Sequence, residues 1–439
     1  MARFNILKLN GRSGTIEIPY FIILLSLLCG ALLLNSCIKD PTIPVVKTNS
    51  ETDVTINSVT IGGNITDDGG SPVTVRGVCW GTSINPSFEG LHTIDGEGPG
   101  VFSTTITGLL PNTQYHARAY AENSIGIAYG NEIVFVTGIA APEVTTTDIT
   151  DITPNTAMSG GKITYDGGAA ITAKGICWST STEPDLSDSF TSDGTDTSLY
   201  HSTMTGLLPG TKYYVRAYTK NSAWTVFGEE ETFNTKVADV EGNLYRTVNI
   251  GTQVWMAENL RTTKYNNSIA IPNVTNNTTW ANLSSAAYCW YNNDISYKPA
   301  FGALYNWYAV KAGTLCPAGW HVPTDVEFSA LEVYLGLPPD QVDVWGWRGT
   351  DQGMQMKNTT GWETGGNGTN SSGFSALPGG YRYGATGAFY LLTSITYWWN
   401  ATEHDADRGW YRRLDSSRSD IYKASTSKKG GKYIRCLKN

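Results

Sequence analysis

Histidine and cysteine are scarce in this 439-residue chain, at five and seven residues, and charged side chains make up only 16% of it. No Ser-His-acid grouping, zinc-ligand spacing or phosphate-cradling glycine loop occurs, so the common hydrolytic, zinc and nucleotide chemistries find no support. Excess positive charge is also missing. From Ile43 to Lys236, 9 Lys and Arg stand against 21 Asp and Glu, a balance of −12; from Val237 to Asn439, 18 stand against 16, a balance of +2. Neither part carries the basic footprint of a nucleic-acid binder, and none is expected as a partner. No cofactor is expected either.

What is present begins with a targeting pattern. Arg3, Lys8 and Arg12 precede an uncharged run, Tyr20 to Leu34, of 15 residues. That is short of the ~20 residues of a membrane span and suits the apolar core of a signal peptide over residues 1–36. The closing "LLLNSC" resembles a bacterial lipobox. The resemblance implies cleavage before Cys37, a lipid thioether on its sulfur, and therefore a membrane partner through the anchor. Cys29 suits the role less well because bulky Leu28 precedes it. A plain secretory peptide or an uncleaved anchor is the alternative. "CIKDP" is similar to the Lys-acidic export signal of Bacteroidetes-type surface lipoproteins, with one acidic residue instead of two. The expected location is the outer membrane, at the cell surface. Residues 37–42 read as a linker, and the 403 residues after position 36 suffice for two to four domains.

A tandem repeat follows. "GVCWGTSINP" from Gly77 returns as "GICWSTSTEP" from Gly175, and "GLLPNTQYHARAY" from Gly108 as "GLLPGTKYYVRAY" from Gly206, a constant offset of 98. A duplicated unit of about 95 residues has the size of one β-sandwich. "YHARAY" and "YYVRAY" alternate apolar and polar residues as half-buried strands do. "LLPxTxYxxRAYxxN" resembles fibronectin type III domains, over residues 43–137 and 141–236, and the resemblance makes Tyr115 and Tyr213 corner tyrosines that bond backbone. Cys79 and Cys177 occupy equivalent interior positions of separate domains, which predicts buried free thiols. Trp80 and Trp178 beside them are expected in the core.

Beyond residue 237 the texture changes, and 11 of the 14 tryptophans lie there. Trp255 and Leu260 read as core. The stripe Phe301, Leu304, Tyr305, Tyr308, stopped by Gly313, predicts a helix. Thr324 and Glu327 form the capping-box pattern of a second, with Phe328, Leu331 and Leu335 on one face. Late strands are expected in "ITYWWNATE", "RGWYRRLD" and "KYIRCLKN". "VWMAENLRT", "FGALYNWYAV", "LCPAGWHVPTDVEFSALE", "GFSALPGGYR", "YWWNATE" and "IRCLKN" resemble the Fibrobacter succinogenes major paralogous domain over residues 238–439. That family implies an α+β, C-type-lectin-like fold shared with formylglycine-generating enzymes, on lipid-anchored or secreted proteins. The expected fold class is thus multidomain: two all-β immunoglobulin-like sandwiches followed by an α+β domain. Export makes disulfides permissible. Cys289, Cys316 and Cys436 allow three pairings, of which the family motifs favour Cys316 with Cys436. Consumption of Cys316 in that bond would remove the copper-binding cysteine pair that the enzymes use.

The candidate ligand surface is aromatic. Trp362, Trp398, Trp399 and Trp410, with Arg412 and Glu403, lie in loop-rich sequence beside Tyr381, Tyr383, Tyr411 and Arg413. Flat rings stack on sugar faces and arginine forks bond hydroxyls or carboxylates. More than half of these rings are nevertheless expected to fill the core, with "YWW" alternating inside and outside. "TEHDADRGW" could hold calcium through clustered oxygens but reads better as a solvated turn. No metal site or catalytic residue is assigned, and His321 reads as structural. The expected function is that of a non-enzymatic surface lipoprotein whose C-terminal module binds an extracellular glycan or protein. A purely structural envelope component is the alternative, and a formylglycine-generating-type enzyme a more distant one.

Overall fold

The computed structural model describes residues 39–439; the signal segment 1–36 and Cys37 lie outside the described residues. The chain divides into two compact units, one ending at Gly138 and one running from Ile139 to Asn439. Among the described residues, no helix is long and apolar enough to cross a membrane.

The first unit is a two-sheet sandwich. Its strands are β1 (Val45–Thr48), β2 (Ser58–Asp67), β3 (Val75–Gly81), β4 (Leu91–His92), β5 (Gly100–Thr107), β6 (Gln114–Asn123), β7 (Gly126–Tyr129) and β8 (Ile133–Val136). One sheet has the order β1-β2-β5, and the other β4-β3-β6-β7 with β8 also on β6. Every pairing is antiparallel. Val59, Ile61, Val78, Phe102 and Tyr115 fill the space between the sheets, as period-two strands with one apolar face require. Strands β9 to β16, between Glu143 and Asn234, repeat the order in the second unit. The N-terminal part is therefore fibronectin type III-like.

Sequence and structure agree at the corners. Leu110 N–H donates to Tyr115 Oη at 3.0 Å, and Leu208 N–H to Tyr213 Oη at 3.1 Å. Cys79 and Cys177 are buried free thiols, and burial pushes their pKa up to about 11 and about 12. Trp178 is buried and Trp80 packs partly against the core. A second device is repeated. Asn123 Nδ2 donates to Thr42 O and Asp68 O, while its Oδ1 accepts from the amides of Ile125 and Gly126. Asn221 does the same 98 residues on, with Ala140 O, Asp166 O, Ala223 and Trp224.

The remainder of the second unit is also mostly β. β17 (Thr247–Ile250) and β18 (Gln253–Met256) lead to helix α1 (Trp307–Lys311), β19 (Trp320–His321) and helix α2 (Asp325–Tyr334). β20 (Gly346–Arg348), β21 (Ile395–Glu403), β22 (Arg408–Asp415), β23 (Ile421–Ser427) and β24 (Leu437–Lys438) follow. Two four-stranded sheets result, β17-β18-β24-β19 and β20-β23-β22-β21. Trp255 and Leu260 are fully buried.

The two expected helices fare differently. α2 starts on the full Thr324–Glu327 capping box and buries Phe328 and Leu331. The helix expected from Phe301 to Gly313 is broken: Leu304–Tyr305 pairs with Tyr288–Cys289 as strand, and only Trp307–Lys311 is helical in its later part. The cause is Asn306, whose buried amide caps Ala309 and also accepts from Ala287 N–H. Short strands and loops dominate the rest, so "mostly β" describes the chain.

Cys316 and Cys436 form a disulfide with Cα atoms 6.0 Å apart, across 120 residues. In the chain-entropy picture so long a loop contributes about 4–5 kcal/mol. Cys289 is a fully buried free thiol.

Candidate functional site

One face of the β20-β23-β22-β21 sheet carries a ladder of aromatic residues, of which Trp347, Tyr411 and Tyr422 are half-buried and Tyr397 and Trp399 buried. Register places Tyr397 opposite Arg413, Trp399 opposite Tyr411, Arg413 opposite Tyr422 and Tyr422 opposite Trp347. Neighbouring ring centroids step across the strands: Trp347 to Tyr422 at 5.0 Å, Tyr422 to Tyr411 at 6.2 Å, Tyr411 to Tyr397 at 5.3 Å and Tyr397 to Tyr381 at 4.9 Å. Arg413 lies over Trp347, Tyr397 and Tyr422. Period-two alternation makes such a ladder whenever aromatics occupy the same-face positions of adjacent strands.

One end of the ladder opens into a cavity of about 660 Å³, walled by Tyr308, Tyr381, Tyr383, Tyr397 and Tyr411, with Lys432 and Lys429 from the chain below. Backbone bonds fix the Lys432 segment on several sides. Lys432 exchanges both backbone bonds with Tyr305, Gly431 does so with Arg382, and Tyr433 O accepts from Trp399 N–H. The Lys432 side chain runs in among the rings. Its Nζ lies 4.2 Å from the centroid of Tyr397, 4.5 Å from Tyr411, 4.9 Å from Trp399 and 5.7 Å from Tyr381. Lys432 is 4% exposed. Burial, and then the charge of Arg413, pull its pKa down to about 7; the negative ring faces work the other way. Burial likewise pushes the Tyr397 phenol up to about 12.

The structure moves most of the expected ligand residues elsewhere. Trp362, Trp398 and Trp399 are buried, with indole N–H groups bonded to Ala376 O, Asn259 Oδ1 and Tyr305 O. They cannot stack on a sugar. Alternation fails in "YWW" because β21 is covered on both faces, and its two tryptophans belong to two different core clusters. Arg412 is fully buried and bonds Glu332 Oε1 at 2.6 Å and Asp325 Oδ1 at 2.6 Å. Glu332 also holds Arg348, and Asp325 holds Lys423 at 2.8 Å. This network fastens α2 to the sheet and is structural. Trp410 is half-buried on the other face of β22 from Tyr411, 4.6 Å from Trp345 and 5.0 Å from His404.

Glu403 is occupied too. It pairs with the Lys428 ammonium, which also donates to Asp405 O at 2.8 Å and Ala406 O at 2.6 Å. The Glu403 carboxylate and two carbonyls of "TEHDADRGW" thus surround a lysine head group, and the Asp405 carboxylate accepts from Asp407 N–H. Among the described residues, no group of three or more His, Cys, Asp and Glu is placed to hold a metal. His321 links Glu327 to Asn439, at 2.9 and 2.7 Å. Cys316 is spent in the disulfide, and burial raises the Cys289 thiol to about 12, so the two do not make a dithiol.

Residues 248–438 match the Fibrobacter succinogenes major domain. The cavity, the aromatic ladder and the disulfide all belong to this major domain, which spans somewhat less than half of the chain. No curated protein matches. Among solved structures, the chain is similar to a two-fibronectin type III domain segment from chicken tenascin, at 16% identity and a TM-score of 0.25, covering 45% of this chain and all of that one.

Tyr381 and Tyr411 were within the aromatic set read from the sequence, but Tyr397 and Lys432 were not singled out. Lys432 sits in "KKGGKYIRC", where nothing separates it from a solvated lysine.

Proposed function

We propose that the protein is a non-enzymatic envelope lipoprotein, tethered through Cys37, whose two fibronectin-like domains carry a glycan-binding major domain at the cell surface. In this reading residues 238–439 form a C-type-lectin-like domain, with recognition carried by the tyrosine cavity in place of a metal loop. The observation that carries it is the cavity itself. Five tyrosines converge on about 660 Å³, and among the described residues none of their hydroxyls is engaged in a hydrogen bond. Concave sites with apolar walls and a few convergent polar groups are where small ligands bind. Phenols supply both a stacking face and a hydroxyl.

The test is a glycan array probed with the full chain and with Tyr411→Ala. Binding by the wild type that the variant loses supports the reading; an unresponsive array refutes it. The burial of Trp362, Trp398 and Trp399 favours a second reading, a purely structural envelope component. The same unresponsive array, with the protein retained in envelope complexes, supports that one.

A further inference from the structure

The buried cations of the major domain share one property. Arg412 and Arg348 meet Glu332, and Lys423 meets Asp325. Lys428 meets Glu403 and two carbonyls. Lys357 Nζ donates to Asp415 O at 3.1 Å and Arg418 O at 2.8 Å. Arg382 is held by Gly387 O, Val274 O and Thr275 O. A buried ammonium or guanidinium without such oxygens costs several kcal/mol. Lys432, at 4% exposed, departs from the pattern: among the described residues its Nζ has ring faces around it and no oxygen partner. It lines the cavity floor. A fixed amine without an oxygen partner, under an open tyrosine-walled space, is the geometry of a site whose anion comes from outside and holds the amine's proton in place.

We propose that the cavity takes a sugar bearing a carboxylate, the carboxylate paired with the Lys432 ammonium and the sugar ring laid on the tyrosine faces. This rests on the glycan reading above and narrows it to acidic saccharides, the uronates and sialates. The ring centroids of Tyr397 and Tyr411 lie 4.2 and 4.5 Å from Nζ, so a sugar whose carboxylate reaches the amine lies beside these rings. Lys429 adds a second positive charge to the rim, and Asp407, on the opposite side of the balance, is an acceptor for sugar hydroxyls. A carboxylate accepts short, charge-assisted hydrogen bonds from an ammonium.

The experiment is calorimetric titration of the detergent-solubilised full chain with a panel of uronate and sialate oligosaccharides, each paired with its carboxyl-reduced form. The expected result is at least one acidic member binding tenfold or more tighter than its reduced partner. Lys432→Met should abolish that preference, so that the acidic and reduced forms bind the variant equally. The wild-type comparison decides by itself if the variant does not fold. Equal binding of acidic and reduced forms overturns the carboxylate assignment and leaves the glycan reading intact. A sulfated saccharide that binds as tightly as the best carboxylated one also overturns it. No binding by any member removes both.

Discussion

Gly210 packs against the indole of Trp320, so that a Cβ at position 210 would overlap the ring. The contact explains a difference between the two repeats. The equivalent residue in the first is Asn112, and both positions have positive φ, 45° and 57°. Asn tolerates that region, but only glycine leaves room for Trp320 where the second sandwich meets the major domain. Lys438 Nζ reaches Gly210 O at 2.9 Å, and Thr247 Oγ1 donates to Thr235 O at 2.9 Å across the same junction. Gly210→Asn therefore isolates the steric effect. Overpacking costs about 1–3 kcal/mol, expected as a lower melting temperature that Trp320→Ala restores in a double-mutant cycle. Additive losses would place the effect elsewhere.

Asn221 is predicted to pin the start of the second sandwich. Asn221→Ala orphans Ala140 O and Asp166 O and frees the amides of Ala223 and Trp224. Unsatisfied buried groups cost ~1–3 kcal/mol each. Urea denaturation should show a loss of about 2–3 kcal/mol, with faster amide exchange at residues 223 and 224. Unchanged exchange there contradicts the assignment.

Glu332 is the hub of the buried network, with Arg348 and Arg412 on its two oxygens. Glu332→Leu leaves both guanidinium groups short of a partner. Removal of one member of a buried pair costs about 3–5 kcal/mol, and denaturation midpoints measure it. A loss under ~1 kcal/mol would show that the cations find other oxygens.

Lys432 predicts a pH signature. Its folded pKa lies near 7, below the unfolded value of 10.5. Between these values the unfolded chain binds the proton and the folded chain does not, so this group makes stability rise with pH. Above 10.5 both states are neutral, and below 7 both are charged. Arg413 and the phenols of Tyr381, Tyr397 and Tyr411 face it, with Lys429 and Asp407 in the same cavity, and burial pushes all three phenols up. Lys432→Met should be the more stable protein near pH 7, by on the order of 3–5 kcal/mol at one pKa unit per ~1.4 kcal/mol. The difference should shrink as pH approaches 10. A pH-independent difference would show that the ring faces hold the proton in place.

Local rules made much of this legible. The 98-residue offset carried the strand order of one sandwich into the other, because each strand's alternation was copied with it, as were the turns Asp68-Gly69 and Asp166-Gly167. The capping box at Thr324 is a contact between residues three apart, so sequence suffices to see it. The failures share one cause. Asn306 breaks a helical stripe through its long-range bond to Ala287, and Trp399 is buried because α1 and its neighbours cover the face that alternation assigns to solvent. Lys432 is shaped by rings that lie 20 to 50 residues upstream in sequence. Contacts of that separation leave no periodic trace, whereas the tyrosines that form the cage alternate visibly on their strands.

The position of a bound saccharide is the most direct test of the glycan reading. A crystal structure of the full chain soaked with the strongest array ligand is predicted to show a sugar ring within ~4 Å of the Tyr397 and Tyr411 rings, in the cavity above Lys432. Sugar density on another surface, with this cavity empty, would contradict it.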